Sequence, residues 1–366
     1  MIRKFSVKNF KGFRDTLVFN LTKSRDYTFN SHLIKNELIN KGIIYGKNGA
    51  GKSNLGYALL DLTYHLTDTH KSIAPYEYYY TNLNEYNKVA EFTYEFQFDN
   101  DIIVYHYTKD QINSLVYEEL ICNEKTLVSY DYVKNKYTNN IEELKSLRVE
   151  FSDNQLSIIK YIYKNYPVKE DSPIYKLIKY AEGMLWFRSV LVGNDYMGFK
   201  NGKESLNDII IDNDKLKDFE KFLKDNDLDY KLIARKVDEQ NIIYAKYGDK
   251  EAPFASIISS GTHALWLFYC WKLRFEKVTF LFIDEFDAYY HYETAEYIFK
   301  LVSSIPNIQA FVTSHNTYLM KNSIVRPDCC FVISEGHIKA LCDCTDKEIR
   351  EAHNLEKMYR NGAFTE

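Results

Sequence analysis

Eight residues constrain this chain more than any others. Gly46-Lys47-Asn48-Gly49-Ala50-Gly51-Lys52-Ser53 satisfies G-x-x-x-x-G-K-[ST], directly after the apolar run Ile43-Ile44-Tyr45 and before helical apolar spacing over residues 54–66. Glycines in such a loop let backbone N–H groups curl around phosphate, and the helix N-terminus adds positive potential. The pattern implies a nucleotide cradle lined by Gly46, Asn48, Gly49, Ala50, Gly51 and Asn54. In it Lys52 bridges the outer phosphates and Ser53 ligates Mg²⁺. A strand that enters a helix through this loop also commits the chain to α/β layering.

Three later segments supply what a phosphate loop lacks. Thr279-Phe280-Leu281-Phe282-Ile283 is an apolar strand ending in two acids, Asp284 and Glu285. Asp284 is expected in the magnesium shell, and Glu285, just past the strand end, is expected to polarise the attacking water. Ser259-Ser260-Gly261-Thr262 opens a helix upstream of that strand, and its small residues leave N–H groups accessible to an anion. Thr313-Ser314-His315-Asn316 follows the next apolar strand, where the His315 imidazole could reach a terminal phosphate.

Around these motifs the text changes character twice. Residues 4–21 read as a strand hairpin turning at Lys11-Gly12, and residues 89–128 as successive strands. Residues 141–223 are charged and helical, with Leu216, Phe219, Phe222 and Leu223 on one face. Alternating strands and helices then resume. The expected organisation is an N-terminal part of the head over 1–135 with a β-rich lobe, an inserted helical lobe over 136–228, and a C-terminal part over 229–366.

Composition excludes several classes. With 366 residues, 45% hydrophobic, the chain can bury a large core, and it shows no signal peptide and no apolar run of membrane-spanning length. A cytoplasmic location follows as the expectation, consistent with six cysteines that form no disulfide framework. Cys329, Cys330, Cys342 and Cys344 cluster without zinc-site spacing, so burial is the expected role. Net charge is −4, and the basic residues Arg3, Lys4, Lys8, Lys11 and Arg14 read as an edge strand rather than a nucleic-acid arm. The 32 Tyr and 23 Phe make no base-stacking platform without a basic groove, and segments such as residues 76–80 read equally as half-buried strand or loop surface.

Taken together, these residues resemble the RecF/SMC-like branch of ABC ATPases, and more closely the small bacterial ATPases of the abortive-infection and OLD-like group. The opening Phe5-Ser-Val-Lys-Asn-Phe-Lys-Gly-Phe13 resembles that branch's first hairpin, Asp284-Glu-Phe-Asp-Ala-Tyr-Tyr-His291 its acidic strand and D-loop, and residues 353–364 its tail. The resemblance implies an α/β, ABC-type P-loop ATPase head. It also implies ATP and Mg²⁺ as ligands, Lys8 and Asn9 near the nucleotide base, and Glu285, His315 and Lys52 as catalytic groups. Two heads would sandwich two ATP molecules, with Ser259, Ser260 and Gly261 of one meeting the phosphate held by the other. Thr262 replaces the glutamine of the transporter signature, His291 stands where SMC heads carry an aspartate, and Gln97, within a strand, is no convincing Q-loop residue.

For biological role, the resemblance implies a sensor or regulator in an anti-phage or toxin-type system, controlling a separate effector such as a nuclease. About fifty residues follow His315, too few for the Toprim nuclease of full OLD proteins, so nuclease chemistry is expected of a partner. Two alternatives stay open: a RecF-like DNA-repair clamp, for which nucleic acid is the partner, and an ATP-binding regulatory scaffold without turnover.

Overall fold

The computed structural model describes residues 1–68, 78–145, 147–189, 195–199 and 204–364. Its centre is a seven-stranded sheet in the order Tyr196–Gly198, Met184–Arg188, Phe280–Asp284, Gln309–Ser314, Lys41–Tyr45, Cys330–Ser334, His337–Ala340. The five inner strands run parallel and each edge strand is antiparallel to its neighbour. Parallel strands are covered on both faces, which is why Phe280–Asp284 and Gln309–Ser314 are buried at every position. The arrangement is α/β, as the alternation of the sequence implies.

A second seven-stranded sheet is wholly antiparallel. Its order is Lys136–Asn139, Lys125–Asp131, Ser114–Cys122, Asp101–Gln111, Ala90–Phe98, Ile2–Lys8, Leu17–Asn20. Strand Ala90–Phe98 alternates buried and half-buried residues, so Phe92, Tyr94 and Phe96 form one inward row. Between the two sheets lies helix Lys52–Leu60, which the phosphate loop feeds, followed after Asp61 by Leu62–Leu66. Tyr94 Oη donates to the Ala58 carbonyl at 2.7 Å, tying the antiparallel sheet to the end of that helix. Gln309 makes a second tie. Its Oε1 accepts from Ile2 N–H and its Nε2 donates to the Ile2 and Ile39 carbonyls, all within 3.0 Å.

Where the aromatic residues go is now plain. Phe92 stacks on Tyr107 at 4.9 Å between ring centroids, and Phe19 packs edge-on against Phe311 and Phe331 of the parallel sheet. Tyr80 is buried against Phe10 and Phe92, while residues 76 and 77 of the same segment fall outside the described residues. Tyrosines also satisfy a buried ion pair. Asp61 accepts from Lys109 Nζ at 2.9 Å and from the hydroxyls of Tyr80 and Tyr107 at 2.8 Å each.

The middle of the chain corrects the expectation of a helical insert over 136–228. Helices Ile158–Asn165, Pro173–Glu182, Leu206–Ile211 and Leu216–Lys224 are present, but between them Met184–Arg188 joins the parallel sheet beside the acidic strand and Tyr196–Gly198 closes its edge. Met184-Leu185-Trp186-Phe187 has no periodicity, as suits a strand buried on both faces, and so is masked by the charged helical text around it. Among the described residues no helix is long and apolar enough to cross a membrane.

Candidate nucleotide site

The phosphate loop is built by backbone geometry that only glycine tolerates. Gly51 has φ +103°, and a Cβ there would lie 2.9 Å from the Phe13 ring, so both conformation and space demand glycine. The Lys52 side chain folds back into the loop, with Nζ donating to the carbonyls of Gly46 at 2.7 Å and Lys47 at 3.0 Å. Burial lowers the Lys52 pKa, while Asp284 and Glu285 pull it back up.

Opposite Lys52 the ends of three adjacent strands converge. Ser53 Oγ donates to Asp284 Oδ2 at 2.7 Å, and Thr313 Oγ1 donates to Asp284 Oδ1 at 2.8 Å. The same Thr313 hydroxyl accepts from the Glu285 N–H at 2.8 Å. Glu285 therefore turns off the strand at a fixed point, in the left-handed region at φ +50°, a conformation that side-chain-bearing residues adopt only when the surroundings impose it. One residue beyond Ser314, His315 brings Nδ1 to 3.4 Å from Lys52 Nζ. Desolvation and the nearby Lys52 ammonium lower the His315 pKa. Lys52, Ser53, Asp284, Glu285 and His315, far apart in sequence, thus share one site.

The oxygen pair Ser53 Oγ and Asp284 Oδ2 is the hard donor set that Mg²⁺ prefers. Arg188, which the sequence reading passed over, reaches both of them. Its Nη2 lies 3.0 Å from Asp284 Oδ2 and 3.3 Å from Ser53 Oγ. The only sequence signal for it was an apolar run ending in a charge, the same shape as the run ending in Asp284. Gln97, by contrast, sits in strand Ala90–Phe98 of the antiparallel sheet, with its N–H on the Met1 carbonyl.

Lys8 and Asn9, expected near the nucleotide base, do not line the cleft that flanks the phosphate loop. Asn9 is buried, and its Nδ2 donates to the carbonyls of Glu85, Lys88 and Val89, while Lys8 pairs with Glu91 across the antiparallel sheet. Asn9 sits in the left-handed region at φ +53°, and its amide holds a segment that is distant in the chain. The cleft that flanks the phosphate loop, about 270 Å³, is lined instead by Gly12, Phe13, Arg14 and Asp15 on one side and Glu335, Gly336 and His337 on the other.

Ser259, Ser260 and Gly261 open helix Ser260–Lys272, with Ser259 Oγ capping it by accepting from Thr262 N–H at 3.2 Å. A Cβ on Gly261 would sit 2.8 Å from the Tyr289 carbonyl, so this turn packs directly on the segment after the acidic strand. Ser259, Gly261 and Thr262 line a cleft of about 420 Å³ with Asn226, Asp227, Tyr289 and His291, and no residue of the phosphate loop borders it. Within one chain the structure does not bring these residues to Lys52.

The N-terminal basic residues are largely neutralised. Arg3 pairs with Glu95, Lys8 with Glu91 and Arg14 with Glu85, while Lys11 is buried with Nζ on the Tyr79 carbonyl. Cys329, Cys330, Cys342 and Cys344 are buried free thiols, and among the described residues no group of three or more His, Cys, Asp or Glu is placed to hold a metal ion.

A phosphate loop entering a helix from a parallel sheet, with an acid pair ending the strand opposite, defines a P-loop nucleotide-binding protein. The family model described as "AAA domain, putative AbiEii toxin, Type IV TA system" matches residues 43–321, well over half of the chain, and the chain belongs to that family of ATPases. No curated protein matches it. Among solved structures, the SMC head domain from Thermotoga maritima aligns at a TM-score of 0.42 and 13% identity, covering 92% of this chain and 97% of that one. An SMC head bound to the C-terminal winged-helix domain of ScpA gives 0.46 and 16%, covering 92% and 96%. The recombination mediator RecF with ATP gives 0.40 and 14%, covering 93% and 98%. These likenesses are too loose to bear on function.

Proposed function

We propose that this protein binds and hydrolyses ATP with Mg²⁺, that two copies dimerise around the nucleotide, and that the cycle regulates a separate effector in an anti-phage or toxin-type system. The observation that carries the catalytic part is the convergence of Lys52, Ser53, Asp284, Glu285 and His315 at one end of the parallel sheet, with Thr313 bonded to both acids. Ser53 and Asp284 would hold magnesium, which would supply charge neutralisation on the phosphate oxygens. Lys52 binds the outer phosphates, and Glu285 orients a water and accepts its proton as the water oxygen bonds to the terminal phosphorus and the bond from that phosphorus to the bridging oxygen breaks, leaving ADP and inorganic phosphate. His315, beside Lys52, contacts the terminal phosphate and reports its presence to the D-loop through Ser314, whose Oγ donates to Asp287 Oδ2 at 2.6 Å.

Dimerisation is supported by the separate cleft of Ser259 and Gly261, which has small residues and a capped helix start but no phosphate loop of its own chain beside it. A partner copy would supply that phosphate. The family description, with its reference to a putative toxin and a type IV TA system, supports the toxin-type setting. Light scattering of Glu285→Gln with saturating Mg-ATP tests the dimer: a persistent monomer rules out the sandwich. Lys52→Ala separates the steps, since it should lose nucleotide binding, whereas Glu285→Gln should bind and stall. Mass spectrometry of proteins co-purifying with Glu285→Gln tests the role. A stoichiometric toxin-like or nuclease neighbour is the expected result; recombination proteins with DNA would transfer the assignment to a repair clamp.

A further inference from the structure

Strand Met184–Arg188 runs parallel to the acidic strand with Arg188 in register with Asp284, so a cation ends one strand where the magnesium carboxylate ends the next. The position is held from several sides. Ser189 N–H donates to the Asp284 carbonyl at 3.2 Å, and Arg188 N–H donates to the Asp195 carbonyl at 3.2 Å. The guanidinium carbon lies 5.7 Å from the Trp186 ring centroid, and Nη2 donates to the buried Tyr57 hydroxyl at 3.2 Å. From there the guanidinium reaches Asp284 Oδ2 through Nε at 3.3 Å and Nη2 at 3.0 Å, and Ser53 Oγ through Nη2 at 3.3 Å.

Asp284 is fully buried, and a buried carboxylate without a counter-charge is strongly unfavourable. Arg188 supplies that charge, but it does so through the lone pairs a divalent ion needs. Magnesium takes close, near-octahedral oxygen ligands, and an ion that is to bind both Asp284 Oδ2 and Ser53 Oγ competes with the guanidinium nitrogen that spans these two oxygens at 3.0 and 3.3 Å.

We propose that Arg188 is a resident cation of the nucleotide site, which lets the phosphate loop take up ATP without divalent metal and which Mg²⁺ must displace from Asp284 before it binds. The inference rests on the nucleotide reading of the phosphate loop. It makes Arg188 a positioning residue for Ser53 and Asp284 and predicts that metal affinity, rather than nucleotide affinity, is the weak link of the site.

Two titrations test it. A fluorescent N-methylanthraniloyl ATP is titrated into the protein in EDTA, and Mn²⁺ is titrated into the nucleotide-loaded protein with free Mn²⁺ counted by electron paramagnetic resonance. Wild type should bind the analogue in EDTA. Replacing a charge-assisted contact at a buried carboxylate, Arg188→Gln should weaken metal-free binding by roughly tenfold or more and tighten Mn²⁺ by a similar factor. Arg188→Lys, which keeps the counter-charge for folding but loses the fork that spans both oxygens, should shift each titration the same way by less. Wild type that binds the analogue only with Mn²⁺, or folded Arg188→Lys and Arg188→Gln proteins whose Mn²⁺ affinity equals or falls below wild type, overturns the proposal. Absence of analogue binding by wild type with or without Mn²⁺, indistinguishable from Lys52→Ala, would instead refute the nucleotide reading itself.

Discussion

Replacing Thr313 by Val should uncouple the two acids from each other while leaving the shape of the strand intact. Thr313 is fully buried, and its hydroxyl does two jobs at once: it donates to Asp284 Oδ1 and accepts from Glu285 N–H, both at 2.8 Å. Valine keeps the volume and removes both bonds. A hydrogen bond to a charged group contributes about 1.5–3 kcal/mol and a buried, unsatisfied N–H costs about 1–3 kcal/mol. Because the two bonds share one oxygen they do not add fully, so about 3 kcal/mol is expected. At the average unfolding entropy per residue, a chain of 366 residues should lose about 4 °C in melting temperature. Function should suffer more than stability, because the left-handed turn at Glu285 is held by this bond. ATP turnover is expected to fall by about two orders of magnitude with nucleotide affinity within about threefold of wild type, the signature of a displaced base rather than a lost binding contact. Thr313→Ser, which retains the hydroxyl, is the control. Thermal melts, nucleotide titration and phosphate release, run in parallel, decide the matter. A Thr313→Val protein with wild-type turnover would refute the claim that this hydroxyl positions Glu285.

Two further perturbations bear on stability. Lys109→Met removes the ammonium that pairs with the buried Asp61 carboxylate and should cost about 3–5 kcal/mol in urea unfolding, much of it recovered in the Asp61→Asn/Lys109→Met double variant; a loss below about 1 kcal/mol would show that the remaining partners, the Tyr80 and Tyr107 hydroxyls among them, suffice. Burial pushes the Asp287 carboxyl up to about 6 from an ordinary 3.8, against the bond from Ser314. The folded state therefore holds this proton more tightly than the unfolded chain. Its stabilising contribution is present below pH 4 and is lost as the pH rises through 6, by on the order of 2–3 kcal/mol. Relative to Asp287→Asn, wild type should lose that amount between pH 4 and 7; parallel pH profiles for the two proteins would contradict the shift.

How much of this was legible in the chain divides along the range of the interactions. The phosphate loop, the strand ending in Asp284 and Glu285, and the helix start at Ser259 are local patterns, because their chemistry depends on consecutive backbone N–H groups or on a single apolar run and its terminus. The amino-acid sequence by itself therefore determined the α/β class, the loop that can cradle phosphate and the acids that can serve it. The tertiary structure decided what stands next to what. Met184–Arg188 carries no periodic signal, since a strand buried on both faces needs none, and only the parallel register with Phe280–Asp284 places Arg188 on the Asp284 carboxylate. Asn9 is bound to a distant segment that no local pattern announces, because three carbonyls from residues 85–89 close around its amide. Thr313 gained its role from strand order, which sets its hydroxyl between two acids almost thirty residues earlier. Such side-chain environments are made by chain segments that meet only after folding, and no local pattern encodes them.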